Sequence, residues 1–136
     1  MKSQRFGIEI EMTGLTRRSA ALIIAKHFDT GFRHERGIYD TYSVCDQDGR
    51  KWKIVRDASI TPQCGNRFDY DPDYKVEVVS PICHYEDIET IQSIVRELRR
   101  NGHAKVNESC GIHIHVDASK HTARSLRNIA NIMYSK

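Results

Sequence analysis

The chain has 136 residues, with 21 Lys and Arg against 18 Asp and Glu, a net charge of +3, 39% hydrophobic residues and a mean hydropathy of −0.58. That length suits one domain with its own core. The basic residues are scattered, with Arg17-Arg18 and Arg99-Arg100 the densest pairs, which argues against a nucleic-acid footprint. No signal-type h-region opens the chain and no apolar run approaches membrane-spanning length, so no membrane role is expected and a cytoplasmic location is the default expectation.

In chain order, Phe6-Gly-Ile-Glu-Ile-Glu-Met12 comes first. Phe6, Ile8, Ile10 and Met12 alternate with Gly7, Glu9 and Glu11, the period-two pattern of a half-buried strand. Gly14 breaks it, and Thr16 can cap a helix running to about Phe28 with Ala20, Ile23, Ile24 and His27 or Phe28 on its buried stripe. Residues 32–41 are polar and point to no element. Tyr42 to Cys45 and Lys51 to Val55 flank Asp48-Gly49, a strong hairpin signal that sets Trp52 and Ile54 on one face and Lys53 and Val55 on the other. Residues 57–74, with two prolines, a glycine and several aspartates, read as a long loop. Lys75 to Ser80 reads as a buried strand carrying Glu77 and stopped by Pro81. Glu86 to Arg100 is the clearest helix, with Ile88, Ile91, Ile94, Val95 and Leu98 on one stripe, acids leading and basics trailing. Ala104 to Asn107 reads as a short strand. Cys110-Gly-Ile-His-Ile-His-Val-Asp117 repeats the first strand's construction, with Ile112, Ile114 and Val116 alternating with His113, His115 and Asp117. A last helix begins near Thr122, striped by Leu126, Ile129, Ala130 and Met133. The order β-α-β-β-β-α-β-β-α, with a hairpin, indicates an α+β fold with antiparallel pairing.

Cys45, Cys64, Cys83 and Cys110 contain no C-x-x-C pair and read as free thiols. A structural zinc site from Cys64, Cys83, His84 and a distant partner has little support in the spacing. Trp52 is expected in the core and Tyr39, Tyr42, Tyr70 and Tyr74 in loop packing. His27, His34, His84, His103 and His121 are expected at the surface, and so is Arg5, for which contact with a phosphate is the alternative.

The chemistry rests on two strands, each apolar on one face and ligand-bearing on the other. Residues two apart on a strand lie roughly 6.5–7 Å apart, close enough for Glu9 and Glu11 to serve one metal cluster. If both strands share a sheet and its apolar face, Glu9, Glu11, His113 and His115 share the opposite face, with Glu77 a further candidate. Carboxylates with one imidazole suit Mg²⁺ or Mn²⁺, whereas Zn²⁺ favours more nitrogen or sulfur. Several acids in one cavity suit divalent ions that escort a nucleotide triphosphate. No Walker A or G-x-G-x-x-G pattern occurs, which disfavours a P-loop or Rossmann nucleotide site.

Phe6-Gly-Ile-Glu-Ile-Glu-Met12, Trp52 with Asp57-Ala-Ser-Ile60, Val76-Glu-Val-Val-Ser-Pro81 and Ser109 to Asp117 together resemble the successive motifs of the amidoligase family, which is similar to glutamine synthetase and glutamate–cysteine ligase, the carboxylate–amine ligases. The resemblance covers nearly the whole chain and implies a curved, mostly antiparallel sheet with helices on one face. It implies two magnesium ions held by Glu9 and Glu11, with Glu77 a third ligand and His113 a ligand near the phosphates of ATP. His115 would face substrate or phosphate, and Asp57 and Ser59 would face substrate. The implied reaction phosphorylates a carboxylate from ATP and lets an amine displace the phosphate, forming an amide from small-molecule or peptide substrates. Members of the family are longer. Residues 1–136 are therefore expected to form the N-terminal part of a glutamine-synthetase-like catalytic domain, completed by a C-terminal half or a second chain.

Two other classes stay open on the residues alone. A degenerate fold kept as a metal-binding or interaction module would ignore ATP, and a metal-dependent hydrolase would turn over without any nucleotide.

Overall fold

The computed structural model describes residues 3–65, 67–68 and 70–135, so Asn66 and Asp69 of the anticipated long loop lie outside the described residues. The elements are β1 (Phe6–Met12), α1 (Arg17–His27), β2 (Phe32–Arg36), β3 (Thr41–Cys45), β4 (Lys51–Val55), a two-residue ladder of β5 (Gln63–Cys64) and β6 (Arg67–Phe68), β7 (Val76–Val79), α2 (Ile88–Asn101), β8 (Ile112–Val116) and α3 (Ala123–Tyr134). Six strands form one curved, unclosed antiparallel sheet in the order β2-β3-β4-β7-β1-β8, so the fold is α+β.

The register explains the core. Ile10 lies opposite Val78, which lies opposite Ile54, so alternate residues of β1, β7 and β4 turn one continuous apolar surface to the same side. Against it pack Ala20, Ala21, Ile24 and Ala25 of α1 and Ile91, Ile94 and Leu98 of α2. Trp52, 2% exposed, fills the middle of this layer beside Phe28, their ring centroids 5.6 Å apart. Each fully buried Ile or Leu here contributes about 1.5–3 kcal/mol of transfer free energy. The small Ala residues of α1 let its backbone lie close to the sheet. Thr16 caps α1 by accepting a hydrogen bond from Ser19 N–H.

Two turns depend on glycine. Gly14 sits at φ +85°, and a Cβ there would lie 2.9 Å from the His103 carbonyl oxygen, so the turn from β1 into α1 tolerates no side chain. Gly49 sits at φ +75° in the β3–β4 hairpin, where Asp46 Oδ1 accepts from the Asp48 and Arg50 N–H groups. Arg50 then bridges Asp46 to Asp87, tying the hairpin to the start of α2.

Four sequence expectations are revised. The polar stretch at 32–41 contains β2, whose Arg33 lies opposite Ser43 of β3. An edge strand needs burial on one side at most, which is why its sequence looked irregular. Residues 104–107 are not a strand; only Lys105 forms an isolated bridge, to Thr13. The long loop 57–74 holds the short β5–β6 ladder and a 3₁₀ turn at Pro72–Tyr74. Finally, Ile112, Ile114 and Val116 of β8 and Leu126, Ile129 and Met133 of α3 are exposed, and no residue of α3 is buried. Alternation shows which side chains can be buried together; it does not guarantee an element to cover them. Among the described residues no helix is long and apolar enough to cross a membrane.

Candidate active site on the open face of the sheet

Opposite the helices, the sheet carries the polar half of every alternating strand. Glu9 lies directly across from His113, Gly7 from His115, and Glu11 from Glu77, in the antiparallel ladders that β1 makes with β8 and β7. Cross-strand partners of this kind bring side chains to roughly 5 Å of one another. Residues 9, 11, 77, 113 and 115, far apart in sequence, therefore meet because β1 is flanked by both other ligand-bearing strands.

The contacts are close. His113 Nδ1 lies 3.3 Å from Glu9 Oε2 and 4.0 Å from Glu11 Oε1, and His115 Nε2 lies 3.2 Å from Glu9 Oε1. Glu11, 5% exposed, is the deepest member, and its Oε2 accepts the Gly111 N–H at 2.6 Å. This bond locks the approach to β8 against β1. Asp57 reaches the same region from the loop after β4. Its Oδ1 accepts both the backbone N–H and the hydroxyl of Ser59, each at 2.7 Å.

Two groups of ligand atoms result, Glu9–Glu77–His113 and Glu11–Asp57–Glu77, the atoms within each lying within 4.8 Å of one another. Glu77 belongs to both. Burial, and then repulsion from Glu9, Asp57 and Glu11, pushes its carboxyl up to about 7. Asp57 moves the other way, below the usual carboxylate range, because Ser59 donates to its ionised form. Crowded carboxylates with one imidazole form a hard, oxygen-rich donor set, which fits Mg²⁺ or Mn²⁺ better than Zn²⁺. No cysteine joins either group, so the structural zinc site weighed for Cys64, Cys83 and His84 finds no support among the described residues. All four cysteines are free thiols.

Every candidate site residue named from the sequence lies on or beside this face. Glu9, Glu11, Glu77 and His113 converge. His115 stands on Glu9 one row along. Asp57 completes the second ligand group, and Ser59 holds Asp57. Lys53 is a residue sequence reasoning passed over. It pairs with Val79, which pairs with Glu9, so Lys53 shares their row and face about 10 Å from Glu9. Arg33, opposite Ser43, which is opposite Lys53, continues that row. The signal was the Lys51–Lys53–Val55 alternation in the hairpin, legible only once the strand order is known.

No curated protein and no solved structure matches the chain. A family model described as "putative amidoligase enzyme" matches residues 2–136.

Proposed function

The chain belongs to the amidoligase family, and from that premise we propose that its open sheet face supports ATP-dependent joining of a carboxylate to an amine, through an acyl phosphate. The observation that carries the reading is the meeting of Glu9, Glu77 and His113, and of Glu11, Asp57 and Glu77, in two groups that share one carboxylate. Such a pair of adjoining sites suits two divalent ions.

Glu9, Glu11, Asp57, Glu77 and His113 would hold magnesium or manganese. Such ions, when bound, offset the charge of the triphosphate and of the phosphoryl group in transfer. Lys53 and Arg33, in the same row of the sheet, supply fixed positive charge for the phosphate tail. His115, with Nε2 3.2 Å from Glu9 and its side chain exposed, would accept a proton from the attacking amine. Ser59 keeps the Asp57 carboxylate ionised and oriented. The bond made is C–N of the amide. The bond broken is that between the acyl carbon and phosphate oxygen, and phosphate leaves.

The test is calorimetric titration with Mn·ATP, followed by phosphate release assayed with carboxylate and amine mixtures. Binding that disappears in Glu11→Ala and His113→Ala supports the reading. A folded protein that ignores Mn·ATP overturns it in favour of a degenerate binding module, and turnover without nucleotide overturns it in favour of a hydrolase.

A further inference from the structure

The second ligand group differs from the first in where its members come from. Glu9, Glu77 and His113 all stand on strands, whereas Glu11 and Glu77 need Asp57 from the loop after β4. The bonds from Ser59 orient the Asp57 carboxylate within that loop but do not place the loop on the sheet. Placement comes from other contacts. Lys75 Nζ donates to the Ala58 carbonyl, Ile60 is fully buried outside the main core cluster, and Thr13 Oγ1 accepts the Gln63 N–H at 2.7 Å. Between these points lies Thr61, whose two backbone groups are both held by side chains of the turn before β8.

That turn runs from Asn107 to Cys110, closed by the Cys110 N–H donating to the Asn107 carbonyl. Asn107 Nδ2 donates to the Thr61 carbonyl at 2.9 Å, and its Oδ1 accepts the Ser109 N–H at 3.0 Å and the Ser109 hydroxyl at 2.6 Å. With its proton committed to Asn107, Ser109 Oγ accepts the Thr61 N–H at 2.8 Å. Each donor in this cycle meets an acceptor, so it admits one orientation of the Asn107 amide. Turning the amide over would set Oδ1 against the Thr61 carbonyl oxygen. Immediately after the turn the Gly111 N–H binds Glu11, and His113 stands two residues further on. The same short segment thus fixes Glu11 directly and Asp57 through the loop.

We propose that Asn107 and Ser109 are positioning residues for the Glu11–Asp57–Glu77 group: their grip on the Thr61 backbone holds segment 57–63 down, and with it Asp57 beside Glu77. The inference rests on the proposed metal-binding role and adds that its two halves depend on different parts of the chain. The first group is set by the sheet register alone, and the second is complete only while the clasp is shut. Loss of an outer partner of this kind costs a metal site about 10–100-fold in affinity.

Asn107→Asp is the decisive variant, because it adds a negative charge near the ligands yet turns an oxygen against the Thr61 carbonyl. Charge alone would tighten cation binding, whereas an open clasp weakens it. In chelator, hydrogen exchange read by NMR is expected to be at least tenfold faster at the Thr61 amide and within twofold of wild type at His113, which pairs with β1. EPR titration with Mn²⁺, without nucleotide, is expected to show two ions on wild type. In Asn107→Asp one is weakened at least tenfold and the other is held as tightly as before or more so. In an Asp57→Asn background, Asn107→Asp weakens Mn²⁺ binding no further, since it acts through Asp57. Ser109→Ala repeats the loss and Ser109→Thr, which keeps the hydroxyl, restores binding; this pair decides the matter if thermal melts show that Asn107→Asp does not fold. Mn²⁺ binding kept at wild-type strength in Asn107→Asp, an unchanged Thr61 amide, or an equal loss in the Asp57→Asn background overturns the proposal and leaves the metal site standing. Wild type that takes up no Mn²⁺ overturns the metal reading instead, and Thr61 exchange still decides whether the clasp holds the loop.

Discussion

Glu77→Gln offers the sharpest test of the charge crowding at the centre of the sheet. Folding lifts this carboxyl from 4.5 to about 7, chiefly by burial and then by its acidic neighbours. Because the folded value is the higher one, folding favours the protonated acid. The stabilising contribution is fully present below about pH 4.5 and is lost as pH rises through about 7. At about 1.4 kcal/mol per pH unit the gap corresponds to about 3 kcal/mol, which the partial solvent access of the side chain reduces to about 2 kcal/mol. Glutamine keeps the shape and never ionises. In chelator at pH 8 the variant should therefore be the more stable by about 2 kcal/mol, a rise in Tm of roughly 6–8 °C for a chain of this size. At pH 4.5 the two should melt together. Circular-dichroism melts across that range make the measurement. Saturating Mn²⁺ should reverse the order, because at about one hundred times Kd a ligand that binds only the native wild type adds about 2.7 kcal/mol. A Glu77→Gln protein that is no more stable than wild type at pH 8 in chelator, or whose advantage does not grow with pH, refutes the crowding.

Arg17, 2% exposed on α1, donates to Asp40, Asp73 and the carbonyls of Pro72 and Lys75. Arg17→Met should cost about 3 kcal/mol in urea unfolding and raise hydrogen exchange in both loops. Glu11→Gln removes a ligand but keeps an acceptor for Gly111 N–H, so it should weaken Mn²⁺ binding at least tenfold in an EPR titration while shifting stability in chelator by less than about 1 kcal/mol. Trp52→Ala empties the centre of the helix–sheet layer and should cost about 3–5 kcal/mol by chemical denaturation.

The candidate site was legible because its residues advertise themselves twice. In β1 and β8 the same alternation that marks a strand also sorts glutamate and histidine to one face, so strand assignment and ligand assignment are a single observation. Glu77 followed from one acid inside an apolar run. Lys53 and Arg33 did not, since their place in the row of Glu9 depends on β7 lying between β4 and β1, and no local pattern encodes strand order. Asp57 could be flagged but not given its place, because a loop residue reaches a site through tertiary contacts rather than through a period. The apolar halves of β8 and α3 fit the expected pattern yet lie open, and the strand expected at 104–107 reduces to the bridge at Lys105. In both cases the missing information is the neighbour rather than the segment.

The imidazoles ride on the hem of the sheet. β8 is stitched to β1 along one side and, among the described residues, has no strand along the other, whereas the glutamates sit on strands flanked on both sides. Peeling back five residues would carry His113 and His115 away and leave the acids where they are. A cation gripped by Glu9, Glu77 and His113 together would act as a clasp across that seam, and the amide protons of His113 and His115, which face β1, would slow their exchange with solvent in step with its occupancy.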